Sequence, residues 1–362
     1  MNIYAGVEEE LRVISLSNFG YYSNKEQMHK KDVLSFFNSV NEITNHVSCT
    51  TYQHDIFIDN GSRVNIEVPQ FEPEISTPEL VLNDNPLSHK LFISQILANR
   101  LIVLKAIDNL KRKGVNLDIS LAAVLPWLHN SPNGMGEHLH LSSHYSIPER
   151  TLNSIFLTLI CTDPSFCGVG APSTNLSSGG FEASAKVRTH NAFSSDLCQS
   201  RKPLLSERNR YDLPADWCYF KVVNLEAAKS QRQMLLSCLK KAAVLFLIIQ
   251  GADFSGFSNF LPIAPVEDVK KFSFDLFGNS IRIPFKDGNS YTWLEADEKY
   301  YNLANDYAKK NKSAPHWFKW TIKEWEYWRN IYLTKDYEKL SQISDKGIKL
   351  FLLFNPIWQK RS

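Results

Sequence analysis

The stretch from Ile56 to Glu79 constrains the fold most tightly. It carries Asp59, Glu67, Glu72, Glu74 and Glu79 and not one lysine. Carboxylates packed this densely repel one another, so in a folded chain they face water, share protons or hold hard metal ions. The apolar run Ile56-Phe57-Ile58 reads as a strand entering a core. Asp59 then stands at the strand's end, a common place for a catalytic group.

Other stretches look like partners of this one. Asn2–Leu16 reads as a strand with Gly6-Val-Glu-Glu-Glu-Leu11 at its middle. Side chains alternate along a strand, so Glu8 and Glu10 share one face while Val7, Glu9 and Leu11 share the other. Two carboxylates so spaced suit a divalent cation such as Mg²⁺, or a solvated face. Further on, Asn133-Gly-Met-Gly-Glu-His138-Leu-His140-Leu-Ser142 opens on glycines and places His138 and His140 on one strand face. Such a pair can hold a metal or a phosphate. Zinc is a rival, although it wants more His or Cys ligands than the pattern supplies. Ser200–Arg210 is the main basic cluster, with Arg201, Lys202, Arg208 and Arg210. It suits phosphate oxygens or a solvated loop.

The remaining pattern alternates strands and helices. Helical spacing covers Lys25–Ile43, Pro86–Lys113 (closed by Gly114), Ile147–Thr162 and Glu226–Ile249. Trp217–Asn224 and much of Lys271–Leu294 read as strands. From Glu295 the chain turns helical and rich in Trp, Tyr and Lys, which predicts a domain over 1–295 and a small C-terminal helical domain over 296–362. The net charge of +2 gives no argument for nucleic acid or an anionic membrane as partner. Six cysteines without a Cys-x-x-Cys pair read as thiols of a reducing compartment. The N-terminus lacks a signal-peptide pattern and the longest apolar run, Ala242–Ile249, is too short to span a bilayer, so the expected location is cytoplasmic.

Taken in order, these stretches resemble the Pup ligase/depupylase family, related to glutamine synthetases and glutamate–cysteine ligases. Gly6-Val-Glu-Glu-Glu10 is similar to the family's Gly-Ile-Glu-Thr-Glu strand. Asp59 followed by Pro73-Glu-Ile-Ser-Thr-Pro-Glu79 is similar to its Asp-x-Gly…Pro-Glu-Tyr-Ala-Thr-Pro-Glu. Asn133-Gly-Met-Gly-Glu-His138 resembles its Gly-Asn-x-Tyr-Gly-Cys-His, and Arg201-Lys-Pro-Leu-Leu-Ser-Glu-Arg208 its Arg-Pro-Ile-Ile-Asn-Thr-Arg. The order holds from residue 6 to about residue 350. There are departures: the loop after Asp59 is long, Phe57 stands where the family has a metal-binding Tyr, and Asp55 where it has an ATP-binding Arg.

The resemblance implies an α+β fold, a glutamine synthetase-like curved antiparallel sheet backed by helices. It implies an ATP-dependent carboxylate–amine ligase that forms an amide or isopeptide bond through an acyl-phosphate. Glu8, Glu10, Glu74 and His138 would hold Mg²⁺, Asp59 would be the general base, and Thr77, Arg201 and Arg208 would contact ATP. The partners would be a peptide or small-protein carboxylate and an amine acceptor, and the chain a monomer. An amide hydrolase of the same fold and a catalytically impaired nucleotide-binding scaffold are the alternatives.

Overall fold

The computed structural model describes residues 2–15, 25–48, 55–67, 72–120, 136–145, 147–166, 171–172, 181–182, 204–206, 217–226, 230–264, 268, 275 and 277–343. Its centre is strand β1 (Ile3–Glu10), which lies antiparallel to β9 (Gly136–Ser143) on one side and to β6 (Glu72–Ser76) and β7 (Leu80–Leu82) on the other. Beyond β9 come β13 (Cys218–Glu226) and β12 (Leu204–Ser206). Beyond β6 come β5 (Arg63–Glu67), β4 (Asp55–Ile58) and β3 (His46–Ser48). The result is a nine-stranded antiparallel sheet. Separate ribbons pair β2 (Arg12–Ser15) with β8 (Leu117–Ser120) and β10 (Ala171–Pro172) with β11 (Phe181–Glu182). The strand expected over Asn2–Leu16 is thus two strands, interrupted at Leu11.

One face of the sheet is apolar, because every second residue is. Ile3, Ala5 and Val7 on β1, Leu139 and Leu141 on β9, Val222 on β13, Ile75 on β6 and Val64 and Ile66 on β5 are all buried. Behind this face pack α1 (Lys25–Ile43), α2 (Ser88–Arg112), α3 (Glu149–Phe166) and α4 (Gln231–Ile249). Helix α2 joins two cores. Phe92 and Ile96 belong to the cluster behind β1, β9 and β13, while Val103, Ile107 and Leu110 belong to the cluster that α1 makes with β4, β5 and β6. Its C-terminus closes as expected at Gly114, whose φ of 78° is left-handed and whose N–H donates to Lys111 O at 3.0 Å. Helix α4 is buried along most of its length, and its second half, Ala242–Ile249, is apolar all round, as a helix in the middle of a core must be. It starts at Gln231, after a Ser230 cap, so Glu226 ends β13 rather than opening the helix.

The strands expected over Lys271–Leu294 shrink, among the described residues, to the hairpin of β14 (Ile283–Pro284) and β15 (Ser290–Tyr291). Trp293 and Leu294 instead begin α5 (Trp293–Lys310). The reason is local: Thr292 and Glu295 form a reciprocal capping box, each side chain meeting the other's backbone N–H. The expected domain boundary after residue 295 falls inside this helix. Trp293, Tyr300, Trp317, Trp325 and Trp328, from α5 and α6 (His316–Leu333), lie in the same core cluster as Ile3, Leu139 and Leu236. The described helices after Glu295 therefore share the core of the sheet, and residues 344–362 of the expected C-terminal domain lie outside the described residues. Tyr300 OH donates to Ile155 O of α3 at 2.6 Å. Gly278 passes directly over Trp293, where a Cβ would meet the indole at 2.1 Å.

A buried ionic group ties α4, α5 and α6 together. The carboxylate of Asp297 takes Lys240 of α4, Arg329 of α6 at 3.2 Å and the Trp325 Nε1–H at 2.7 Å. Burial works to raise the Asp297 carboxyl, and the two cations outweigh it and hold it below the ordinary carboxylate range. Removing one partner of such a group strands the others in a medium that cannot solvate them. Asp297→Ala is therefore expected to cost roughly 3–5 kcal/mol in urea denaturation. A depressed carboxylate stabilises above its unfolded pKa and loses that contribution as pH falls through the folded one. The variant should accordingly show a shallower loss of stability on acidification than wild type.

Candidate active site and metal centre

The face opposite the core carries the charged residues, in rows fixed by strand register. In the first row Glu8 of β1 faces His138 of β9 on one side and Ser76 of β6 on the other, and Ser76 faces Arg63 of β5. In the second row Glu10 faces Glu74, Glu74 faces Asn65, and Asn65 faces Asp55 of β4. A third row runs from Gly6 to His140 to Lys221 of β13. Glu8, Glu10, Glu74 and His138 are all less than a tenth exposed. Glu9 points the other way, into the core, where Arg100 of α2 donates to it at 2.7 Å. Burial raises the Glu9 carboxyl despite that partner.

The geometry is compact. His138 Nδ1 lies 2.9 Å from Glu8 Oε2, and its Nε2 lies 3.2 Å from Glu10 Oε1. His140 Nε2 is 3.4 Å from Glu8 Oε2, its other ring nitrogen meets the Tyr219 hydroxyl, and the Lys221 ammonium pairs with Glu8. Burial alone would raise the Glu8 carboxyl. The hydrogen bonds from His138 and His140 and the Lys221 charge reverse this and keep it ionised far below the usual range. Burial lowers the His140 imidazole, against the pull of Glu8.

Glu8, Glu74 and His138 each present one ligand atom, and these atoms lie within 4.8 Å of one another. The neighbouring polar atoms fit a cation. Asn65 donates its Nδ2–H to Glu74 Oε2 at 3.0 Å, while its buried Oδ1 accepts nothing among the described residues. The Ser76 hydroxyl, buried beside Glu8, also has no partner among them. Leftover oxygen acceptors beside two carboxylates and one imidazole are the donor set of Mg²⁺ or Mn²⁺ rather than of zinc.

The structure brings Glu8, Glu10, Glu74 and His138 together on one face; alternation alone had paired Glu8 with Glu10 and His138 with His140. Asp59 lies elsewhere, exposed on the turn between β4 and β5, with Asn45 Nδ2 donating to it at 3.3 Å. Three strand spacings, about 14 Å, separate β4 from β1. The Thr77 hydroxyl accepts the Val7 N–H at 2.9 Å, which locks the end of β6 to β1. Arg201 and Arg208 lie outside the described residues. The strand that pairs with β6 is β5, and it carries Arg63, Asn65 and Glu67 at alternate positions, with Glu67 opposite Glu72. This series supplies an arginine and a polar residue where Asp55 and Phe57 depart from the family pattern. The Arg63 guanidinium is held bidentately by Asp55, Nε to Oδ1 and Nη2 to Oδ2, both at 2.8 Å, and remains 41% exposed. Sequence reasoning missed Arg63, Asn65 and Lys221. The two-residue spacing from Arg63 to Glu67 is the signal that could have found the first two.

This carboxylate-lined sheet face is the candidate site of a nucleotide-dependent carboxylate–amine ligase. The family model described as Pup-ligase protein matches residues 7–357, and the chain belongs to the Pup-ligase family of ATP-dependent ligases. Among solved structures it resembles the ligase PafA in its complex with the prokaryotic ubiquitin-like protein Pup, at 17% identity and a TM-score of 0.73, over 99% of this chain and 69% of that one. PafA in complex with ADP matches at 17% identity and a TM-score of 0.63, over 94% of this chain and 72% of that one. At this identity the likeness is one of fold. Direct comparison with curated protein sequences finds no match. No helix among the described residues is long and apolar enough to cross a membrane.

If the triad holds the ion, Glu74→Gln and Glu8→Gln should each weaken Mn²⁺ binding by at least about tenfold in isothermal titration. Asp59→Asn should leave it unchanged. Equal loss in all three variants would place the ion elsewhere.

Proposed function

We propose that this chain activates a glutamate-type side-chain carboxylate of a peptide or small protein with ATP and joins it to an amine. The observation that carries this reading is the buried Glu8–Glu74–His138 triad with the Arg63 guanidinium two strands away on the same face. Joining a carboxylate to an amine is uphill in water. The carboxylate oxygen first attacks the γ-phosphorus of ATP, which releases ADP and leaves an acyl-phosphate. The amine then attacks the acyl carbon, phosphate departs and the amide remains.

A bound Mg²⁺ would draw charge from the phosphate oxygens during the transfer. Glu8, Glu74 and His138 would hold it, with Glu10 and Asn65 beside them. Arg63 suits the phosphate oxygens, because Asp55 fixes one edge of its fork and leaves the remaining Nη1 for a ligand. Arg201 and Arg208 would add positive charge from the basic stretch. Thr77 acts in this scheme by pinning β6 to β1 beneath the nucleotide.

The incoming amine arrives as an ammonium with a pKa near 10.4, so a base must take its proton before attack. Register favours Glu67 over Asp59 for this role. Glu67 continues the Arg63–Asn65 series on the strand that pairs with β6, whereas Asp59 sits on the exposed turn one strand further out.

The test is phosphate release from ATP and Mg²⁺ with glutamate-containing peptides, with and without added amines. Release that depends on a carboxylate–amine pair supports the ligase. ADP binding without release, together with cleavage of isopeptide-linked conjugates, would support the hydrolase instead. Glu67→Gln should lower amide formation by roughly 10²–10⁴-fold while ADP still binds. Asp59→Asn should retain most activity, and the opposite result would return the role of base to Asp59.

A further inference from the structure

The two flanks of Glu8 differ in charge. Towards β6 stand Glu74 and the unsatisfied oxygens of Asn65 and Ser76, a surplus of acceptors. Towards β9 and β13, beyond the triad's own His138, stand His140 and the Lys221 ammonium, both converging on Oε2 of the same carboxylate. Lys221 reaches this position from two strands away, by way of the row that runs through His140 and Gly6. Its side chain is four-fifths buried, so Glu8 is its chief compensation.

We propose that Lys221 takes the place of a second divalent cation beside Glu8, so that the site binds one such ion per chain. The inference rests on the metal reading of the triad given above. A carboxylate at the centre of a phosphoryl-transfer site can bridge two ions when both flanks offer ligands. Here only the β6 flank is acceptor-rich among the described residues. On the other flank a fixed positive charge already meets Glu8 and repels a further cation at short range. A lysine cannot coordinate while protonated, since it offers three donors and no acceptor. The arrangement keeps positive charge at that flank whether or not Mg²⁺ is abundant.

The experiment is a Mn²⁺ titration of the full chain followed by electron paramagnetic resonance, with wild type, Lys221→His and Lys221→Met. Wild type should bind one Mn²⁺. Lys221→His puts a ligand beside His140 and Glu8 in place of the ammonium and should bind two. Lys221→Met removes the repelling charge and should tighten the single site by roughly tenfold. That variant decides the matter if the histidine variant fails to fold. Two ions in wild type would overturn the proposal, as would one ion in Lys221→His or unchanged affinity in Lys221→Met. No Mn²⁺ binding in wild type would remove the metal reading itself, and the inference with it.

Discussion

Three carboxylates, Glu8, Glu10 and Glu74, stand on adjacent strands at the middle of a sheet, each less than a tenth exposed. Left alone they would repel one another and recover protons. The structure answers with positive charge and donors from the neighbouring strands: His138 between Glu8 and Glu10, Lys221 and His140 on Glu8, and Asn65 on Glu74. That response depends on antiparallel register. Residues directly opposite one another are close enough to pair, so each carboxylate selects what its cross-strand neighbour can be.

The other side of the same strands explains why the face is rigid. Ile3, Ala5 and Val7 alternate with the polar positions of β1 and are fully buried against the helices. Glu9 carries a charge into that core and is matched by Arg100 of α2. A slip of one residue in β1 would turn Glu8 and Glu10 inwards and Val7 outwards, so burial on one face fixes the ligands on the other. The C-terminal helices add to the same support, because α5 and α6 pack into the cluster behind β1 and β9. The described helices pack on one main sheet, and the charged face inherits its geometry from that packing.

Much of this was legible in the sequence. Strict alternation placed Glu8 and Glu10 on one face and Glu9 on the other, and the same reasoning placed His138 beside His140. What periodicity cannot give is which strand lies next to which. Two consecutive strands, Asp55–Ile58 and Arg63–Glu67, both precede Pro73-Glu74, and only the hydrogen-bond register shows that the second pairs with β6. Asp59 looked like the group at the end of the site strand for this reason. Lys221 was hidden differently: a single lysine in the run Trp217-Cys-Tyr-Phe-Lys-Val-Val reads as one solvated position, and its partner lies two strands away. The boundary after residue 295 followed a change in composition, yet Thr292 and Glu295 cap a helix whose buried face belongs to the main core.

The central claim is that this carboxylate-lined face serves activation of a substrate carboxylate by ATP. Its most direct test is the fate of oxygen. A glutamate peptide labelled with ¹⁸O in its side-chain carboxylate would be turned over with ATP, Mg²⁺ and an amine, and the released phosphate examined by mass spectrometry. An acyl-phosphate hands one carboxylate oxygen to the departing phosphate, so the account predicts phosphate bearing one ¹⁸O, and none from the Glu8→Gln variant. Unlabelled phosphate from the wild-type protein, with its new oxygen drawn from water, would contradict it.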